Sequence, residues 1–298
     1  MSSSEPLDIK NYIGLTGDTP IRFIASDVDG TLVNEAKTVD SEVVSAVRAA
    51  RESGIRVAIA SGRAWHEMDD VIDAMPCLRY FVCTNGAYVM DKEEQKELVH
   101  ISFDKTRAID LVRKLMTYGV FVEAYVKAEI FGQYPTVGNE TLQADHFFRA
   151  NIRPFILKTR TMVPDLLAHL ESLPEGPEKI QIFYGDERIR ERILADLRDD
   201  FQGVATDGKG RERFYDVLES SEGNLEFVLP HTTKGTAVEA LANHWGYTPD
   251  EVMTIGDSEN DLSMIRFAGA SVAMGNARNN VKAAARYETT DNNNYGVA

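Results

Sequence analysis

Carboxylates are grouped at two widely separated points of this 298-residue chain. Asp27 and Asp29 lie two residues apart, and Asp257 and Asp261 lie four residues apart. If the fold brings these four side chains together, they repel one another strongly unless a cation lies between them. A few hard oxygen ligands, completed by a substrate phosphate, suit Mg²⁺. The four residues therefore predict a magnesium site.

Other polar residues have the chemistry that a phosphoryl-transfer site needs. Lys234, at the predicted start of a helix, supplies a fixed positive charge, and Ser61 with the backbone amides around Gly62 can hold a phosphate at a helix N-terminus. A carboxylate nucleophile, a second carboxylate, a metal ion, a cation and an anion-binding loop together fit phosphoryl transfer through an aspartyl-phosphate.

Short apolar runs end at these polar positions, and helix-like segments separate the runs. Apolar strands that alternate with helices favour a parallel α/β sheet covered on both faces. Ligands bind beyond the carboxyl ends of the strands in such sheets, so the polar residues should share one edge. The runs are 21–26, 57–60 and 252–255, which precede Asp27, Ser61 and Asp257.

The pattern changes in the middle of the chain, where strand-like and helical pieces are interleaved with frequent Gly and Pro. This predicts an inserted α+β domain. We expect a flexible N-terminal arm over 1–20, an α/β core formed by 21–88 and 226–298, and the insertion over 89–225.

Four segments resemble the ordered motifs of the haloacid dehalogenase superfamily of phosphatases: Asp27-Val28-Asp29-Gly30-Thr31, Ser61, Lys234 and the run from Gly256 to Asp261. The segments 59–63, 84–87 and 296–298 are similar to its Cof-type subfamily. In that subfamily a cap domain is inserted between the second and third motifs. The resemblance therefore implies a Rossmann-like parallel-sheet core with an α+β cap between Ser61 and Lys234.

The resemblance also implies a role for each matching residue. Asp27 would be the nucleophile, and Asp29 would protonate the leaving oxygen and then activate water. Mg²⁺ would be bound by Asp27, by the backbone carbonyl of Asp29 and by Asp257, with Asp261 as ligand or orienting group. The phosphate would be held by the Val28 amide, Ser61, Gly62, Lys234 and Asn260, while Arg63 and Asn85 would face either the phosphate or the cap.

These features predict a Mg²⁺-dependent phosphatase for small phosphomonoesters, above all sugar phosphates, with a cap that closes over the substrate. A phosphomutase of the same fold is an alternative if a basic cluster such as Arg149, Arg153 and Lys158 binds a second phosphate. A non-catalytic sensor of a phosphorylated ligand is another, although the presence of both Asp27 and Asp29 argues against it, since a sensor has no use for a positioned acid and base.

Composition limits the partners and the compartment. The net charge of −15 disfavours nucleic-acid binding, and no apolar run approaches the roughly 18 residues of a membrane span. Two cysteines, Cys77 and Cys83, are too few for a disulfide framework, and the N-terminus is unlike a secretory signal. We expect a cytoplasmic protein whose partner is a small phosphorylated metabolite, and the oligomeric state stays open.

Other sites rich in acidic residues fit poorly. A calcium-binding EF-hand loop needs Gly at its sixth and Glu at its twelfth position. Loops beginning at Asp27 or Asp257 lack both, since they have Leu32 and Thr38, or Leu262 and Ala268, at those positions.

Overall fold

Two large β-sheets organise the protein. The computed structural model describes residues 19–127, 129–138, 140–150, 153–198, 213–219 and 223–298. None of the helices in these ranges is both long and apolar enough to cross a bilayer. The described strands are β1 (Phe23–Ser26), β2 (Arg56–Ala60), β3 (Tyr80–Cys83), β4 (Tyr88–Asp91), β5 (Lys96–His100), β6 (Phe121–Val126), β7 (Glu129–Gln133), β8 (Thr136–Val137), β9 (Glu140–Thr141), β10 (Thr161–Met162), β11 (Lys179–Phe183), β12 (Asp216–Leu218), β13 (Asn224–Val228), β14 (Val252–Gly256), β15 (Ala270–Ala273) and β16 (Tyr287–Glu288).

The described helices are α1 (Ser41–Glu52), α2 (Asp69–Ala74), α3 (Lys105–Met116), α4 (Ala144–Phe147), α5 (Arg153–Thr159), α6 (Leu166–Ser172), α7 (Glu187–Asp196), α8 (Lys234–His244), α9 (Leu262–Phe267) and α10 (Asn279–Ala284). Helices α1, α2, α9 and α10 each connect two strands that are neighbours in the core sheet.

The core sheet has eight strands in the order β16-β15-β14-β1-β2-β3-β4-β5. The first six strands of this order are parallel, and β4 and β5 complete the sheet as an antiparallel edge. β1 lies between β14 and β2, so the chain's first strand is central in the sheet. The predicted α/β fold with a parallel core sheet is confirmed.

Helices cover both faces of the core sheet because successive strand residues point to opposite sides. Phe23, Ala58 and Val82 pack on one face with Val238 and Leu241 of α8. The other face buries Ile59 and Phe81 against α1 and α2. Each fully buried large apolar side chain contributes about 1.5–3 kcal/mol, so this two-sided core holds the strand ends rigidly.

The cap sheet has six strands in the order β10-β7-β6-β11-β13-β12. Its central pairs, β6 with β11 and β11 with β13, are antiparallel. Alternate residues of these three strands form an apolar face that packs against α3 and α6, and it includes Val122, Ala124, Ile180, Ile182, Leu225 and Phe227. The opposite face of the same strands is also buried, and it carries the polar residues Glu123, Lys179, Gln181, Asn224 and Glu226.

The two sheets place the boundaries between core and cap at other residues than those predicted. β4 and β5 belong to the core sheet, which extends to His100 rather than ending at 88. β13 belongs to the cap sheet, so the return to the core follows Val228 rather than preceding 226. The change of pattern after Gly86 marks a turn with positive φ that leads into a hairpin, not the end of the core. Most of the predicted N-terminal arm, residues 1–18, lies outside the described residues.

Candidate active site

Polar residues follow four neighbouring strands at one edge of the core sheet. Asp27 follows β1, Ser61 follows β2, Asn85 lies in the turn after β3, and Asp257 follows β14. Because these strands are parallel, their carboxyl ends share one edge. The structure thus brings together residues that are up to 230 positions apart, from Asp27 to Asp257.

Lys234 connects the carboxylates of Asp27 and Asp261. Its ammonium lies 2.5 Å from Asp27 Oδ1 and 2.7 Å from Asp261 Oδ1, and its side chain is 1% exposed. Burial alone would lower the pKa of Lys234, but the charges of Asp261 and Asp27 outweigh it and raise the pKa above its ordinary value. Lys234 is therefore a permanent cation beneath Asp27.

Asp261 is held by the backbone that precedes it. Its Oδ2 accepts hydrogen bonds from the amides of Asp257 and Ser258, each at 2.9 Å, while its Oδ1 accepts from Lys234. A Cβ on Gly256 would lie 2.6 Å from the Cβ of Asp261, so only glycine allows this approach. With both oxygens engaged, Asp261 is better placed to orient the loop and Lys234 than to be a principal metal ligand.

Three carboxylates form a cluster that fits a cation. One oxygen from each of Asp27, Asp257 and Asp261 lies within 4.8 Å of the others. Asp257 Oδ1 accepts a hydrogen bond from Thr31 Oγ1 at 2.9 Å, and the buried Oδ2 of Asp27 has no hydrogen-bond partner. An orphaned buried carboxylate oxygen is unfavourable unless a further group binds it, whether a cation or the phosphoryl group of a ligand.

The electrostatics of the cluster also favour a metal ion. Burial raises the pKa of Asp27 well above its ordinary value, and the charge of Asp261 raises it further, although Lys234 opposes both. Burial likewise raises the pKa of Asp257. One ammonium does not balance two buried carboxylates and a half-buried one, and a divalent cation would supply the missing positive charge.

Asp29 lies outside this cluster. Its carboxylate, 42% exposed, is bound by Arg63 through Nε and Nη2 at 2.7 Å each and by Lys37 Nζ at 3.0 Å. Burial opposes ionisation of Asp29, but the hydrogen bonds and charges of Arg63 and Lys37 lower its pKa to about 2. The predicted metal role of Asp29 can thus be met only by its backbone carbonyl, and the contact with Asp29 places Arg63 beside the residue that the resemblance implies as acid and base.

The predicted phosphate-binding residues divide into two groups. Ser61, Gly62, Asn85 and Asn260 line the same cavity as Asp27 and Asp29. Asn260 Nδ2 donates to Asn85 Oδ1 at 3.2 Å, which links the loops after β3 and β14. Lys234 lies beneath Asp27, and the Val28 side chain is buried in the core, so only the backbone of Val28 can take part.

The cavity lies between the two sheets and has a volume of about 400 Å³. Its side towards the cap sheet, called the cap wall below, combines the polar face of β6, β11 and β13 with residues in and after α5. The cap wall consists of Tyr125, Phe155, Ile156, Arg160, Lys179, Gln181, Phe183, Asn224 and Glu226.

Arg160 connects the cap wall to the core. It donates to both oxygens of Glu123 at 3.0 and 3.1 Å and to the hydroxyl of Tyr125 at 3.1 Å. It also donates to Glu67 Oε1 at 2.5 Å, and the other oxygen of Glu67 accepts from the amide of Ala64, just after the Ser61 loop. The cap is therefore hydrogen-bonded to the loop that the sequence predicts to bind phosphate.

Several residues of this site were not predicted from the sequence. Thr31 was part of a recognised motif, while Lys37 lies in a turn with no distinguishing signal. The cap-wall residues of β11 and β13 had a usable signal, because Lys179 and Gln181, and likewise Asn224 and Glu226, alternate with apolar residues. The basic residues considered for a phosphomutase, Arg149, Arg153 and Lys158, do not line this cavity.

Comparisons with known proteins agree with this geometry. Residues 24–298 match the family model for haloacid dehalogenase-like hydrolases. Phosphatase YwpJ of Bacillus subtilis is 30% identical over 93% of this chain and 98% of its own. The 5-amino-6-(5-phospho-D-ribitylamino)uracil phosphatase YcsE of the same organism is 26% identical over 94% of each chain.

The fold is also shared with solved structures. A haloacid dehalogenase-like hydrolase from Bacteroides thetaiotaomicron superposes with a TM-score of 0.77 and 27% identity, covering 93% of this chain and 97% of the other. Since the family model spans nearly all of the described core and cap, this chain belongs to the haloacid dehalogenase-like hydrolase family.

Proposed function

We propose that this protein is a Mg²⁺-dependent phosphatase that hydrolyses small phosphomonoesters, in particular sugar phosphates, through an aspartyl-phosphate on Asp27. Its enzyme class rests on the family and on the phosphatases among its relatives. The observation that carries the mechanism is the pairing of Asp27: Oδ1 is held by Lys234, and the buried Oδ2 has no hydrogen-bond partner.

Asp27 has the arrangement expected of a nucleophile. Lys234 fixes its orientation and neutralises Oδ1, so Oδ2 is the oxygen positioned to attack phosphorus. In the proposed reaction the P–O bond to the leaving group breaks as the bond to Asp27 forms. Water then attacks the phosphoryl group and releases inorganic phosphate and the free carboxylate.

Asp29 is the proposed acid and base. In this arrangement it is ionised and held by Arg63 and Lys37 at the cavity, which is the form that accepts a proton from water in the second step. To protonate the leaving oxygen in the first step, it must leave these partners and carry a proton. Positioned acid–base groups typically contribute 10²–10⁴-fold to rate.

The residues present fit a bound Mg²⁺. Asp27 and Asp257 would hold the ion together with the backbone carbonyl of Asp29, while Asp261 would orient the site. When bound, the ion neutralises charge on the transferring phosphoryl group. Ser61, Gly62 and Asn260 would hold the phosphate oxygens, with the Val28 amide beside Asp27.

The cavity supports a small-molecule substrate. Its volume of about 400 Å³ falls in the range of 300–1,000 Å³ usual for such ligands, and one relative acts on the phosphate ester of a ribitylaminouracil. A cytoplasmic location is part of this proposal, and it is supported by the two cysteines, which are both free.

Release of inorganic phosphate from a panel of sugar phosphates, nucleotides and pyridoxal phosphate tests the proposal. We expect turnover with Mg²⁺, loss of turnover in EDTA with recovery on adding Mg²⁺, and no turnover by Asp27→Asn. Substrate isomerised without phosphate release would instead identify a phosphomutase, and binding without turnover would identify a sensor. Activity of Asp27→Asn equal to that of the wild type would refute the proposed mechanism.

A further inference from the structure

Each cation that lines the cavity, within the described part of the chain, is already paired with a carboxylate. Lys37 and Arg63 bind Asp29, Arg160 binds Glu67 and Glu123, and Lys179 is paired with Glu226. The first two belong to the core side of the cavity, where a phosphate is expected. The other two belong to the cap wall, where the rest of the substrate would lie.

Lys179 occupies a position between the cap and the Ser61 loop. Its ammonium lies 3.5 Å from Glu226 Oε1, 3.4 Å from the carbonyl oxygen of Gly62 and 4.0 Å from the centre of the Tyr125 ring. The side chains of Lys179 and Glu226 are 3% and 7% exposed. Charges this well buried interact strongly with any further charge placed beside them.

Both cations of the cap wall are already paired with carboxylates. The two cations Arg160 and Lys179 face three carboxylates, those of Glu67, Glu123 and Glu226. A second anionic group on a substrate would have to compete with Glu226 for Lys179, and with Glu67 and Glu123 for Arg160. Hydroxyl groups, by contrast, can be bound by the amides of Gln181 and Asn224, which lie on the same wall.

We propose that the Lys179–Glu226 pair makes the cavity selective for phosphomonoesters whose remaining part is uncharged, such as hydroxylated monophosphates, and that it rejects bisphosphates. This inference rests on the proposed phosphatase function and adds a requirement that the leaving group be uncharged. A carboxylate that occupies the available lysine discriminates by repulsion, which is a common basis of specificity.

The matched test is Glu226→Gln, which keeps the size and polarity of the side chain but removes its charge. Lys179 then becomes a buried cation without a paired carboxylate, and it can bind a second phosphate. The measurement is kcat/KM for fructose 6-phosphate and for fructose 1,6-bisphosphate, with Mg²⁺ present. The control is Glu219→Gln, which removes an exposed carboxylate paired with Arg190 on the cap, outside the cavity.

We expect the wild type to prefer the monophosphate at least about tenfold, and Glu226→Gln to reduce this preference at least about fivefold. Glu219→Gln should retain the wild-type preference. The double variant Lys179→Met/Glu226→Gln, which lacks the released cation, should recover most of the preference. Unfolding curves of each variant show whether the fold is intact.

Two results would overturn the inference without affecting the proposed function. One is a wild type that hydrolyses both esters equally well. The other is a Glu226→Gln variant that folds and changes both kcat/KM values by the same factor. If the wild type hydrolysed no ester at all, including p-nitrophenyl phosphate, the proposed function would fail and this inference with it.

Discussion

At the scale of single residues, Lys234 accounts for much of the geometry of the candidate active site. Lys234 binds Asp27 and Asp261 at once, and Asp261 in turn accepts from the backbone amides of Asp257 and Ser258. A single buried ammonium therefore holds the two acidic segments next to each other. This leaves Asp27 with one engaged oxygen and one buried oxygen that has no hydrogen-bond partner, an asymmetry that suits a nucleophile.

Gly30→Ala should reduce activity about 10²-fold while leaving the protein folded. Gly30 has φ +83°, and a Cβ there would lie 2.6 Å from Asp257 Oδ2. The added methyl group must displace Asp257, and misplacing a catalytic group by about 1 Å can reduce the rate about 10²-fold. Phosphate release and thermal unfolding measure the two effects.

Gly54→Ala is the matched control for that substitution. Gly54 has φ +86°, and a Cβ there would meet nothing within 4 Å. Both variants should therefore lose a similar stability, about 1–2 kcal/mol, from backbone strain, whereas only Gly30→Ala should lose most of its turnover. Equal activities in the two variants would contradict the assigned contact.

At the scale of elements, the sequence predicts the parallel strands well because they are buried on both faces and read as apolar runs. The edge hairpin of β4 and β5 was missed, since β5 (Lys96–His100) is partly exposed and mostly polar. The cap wall was missed for a related reason. Polar residues that alternate on a strand normally face solvent, and only the tertiary structure buries this face against the core.

Arg160→Met should destabilise the protein strongly. The substitution keeps an unbranched apolar chain but leaves Glu123 and Glu67, whose side chains are 0% and 5% exposed, without their cation. Removing one partner of a buried ion pair typically costs about 3–5 kcal/mol. Urea unfolding measures the loss.

The control for Arg160 is Arg190→Met. Arg190 pairs with the exposed side chain of Glu219, and surface pairs of this kind contribute about 0–1 kcal/mol. A loss of stability for Arg160→Met no larger than that for Arg190→Met would show that the network between cap and core is not energetically important.

His100 gives a pH-dependent link between the end of β5 and the segment before β11. Its Nε2 lies 2.8 Å from Glu178 Oε1, and its Nδ1 lies 2.7 Å from Glu175 Oε2. The hydrogen bond to Glu178 raises the pKa of His100, and the charges of Glu178 and Glu175 add to the increase against burial.

The resulting stabilisation should be complete below the unfolded-state pKa of about 6.5 and should disappear as the pH rises through the higher folded-state value. The difference in free energy of unfolding between wild type and His100→Gln should therefore be larger at pH 6 than at pH 9. Glu178→Gln should weaken this pH dependence. A difference that grows with pH would contradict the assignment.

At the scale of the whole molecule, the site exists only because distant segments meet. Asp27, the Ser61 loop and the Asp257 loop follow strands of the core sheet, and Lys234 begins the helix α8 that packs on that sheet. The cap sheet inserted between Ser61 and Lys234 supplies the opposite wall of the cavity. The core residues could be found from the sequence because short motifs contain them. The cap residues could not, because their convergence depends on how two separate sheets face each other.

Trapping of the phosphoryl-enzyme tests the central claim most directly. Asp29→Asn, which keeps the nucleophile but lacks the base that activates water, should be incubated with a phosphomonoester and Mg²⁺, quenched in acid and digested for mass spectrometry. We predict a phosphoryl group on the peptide that contains Asp27, and none when Asp27→Asn is added to the same variant. A phosphoryl group on a residue other than Asp27 would contradict the account. Wild-type turnover that Asp27→Asn leaves unchanged would contradict it as well.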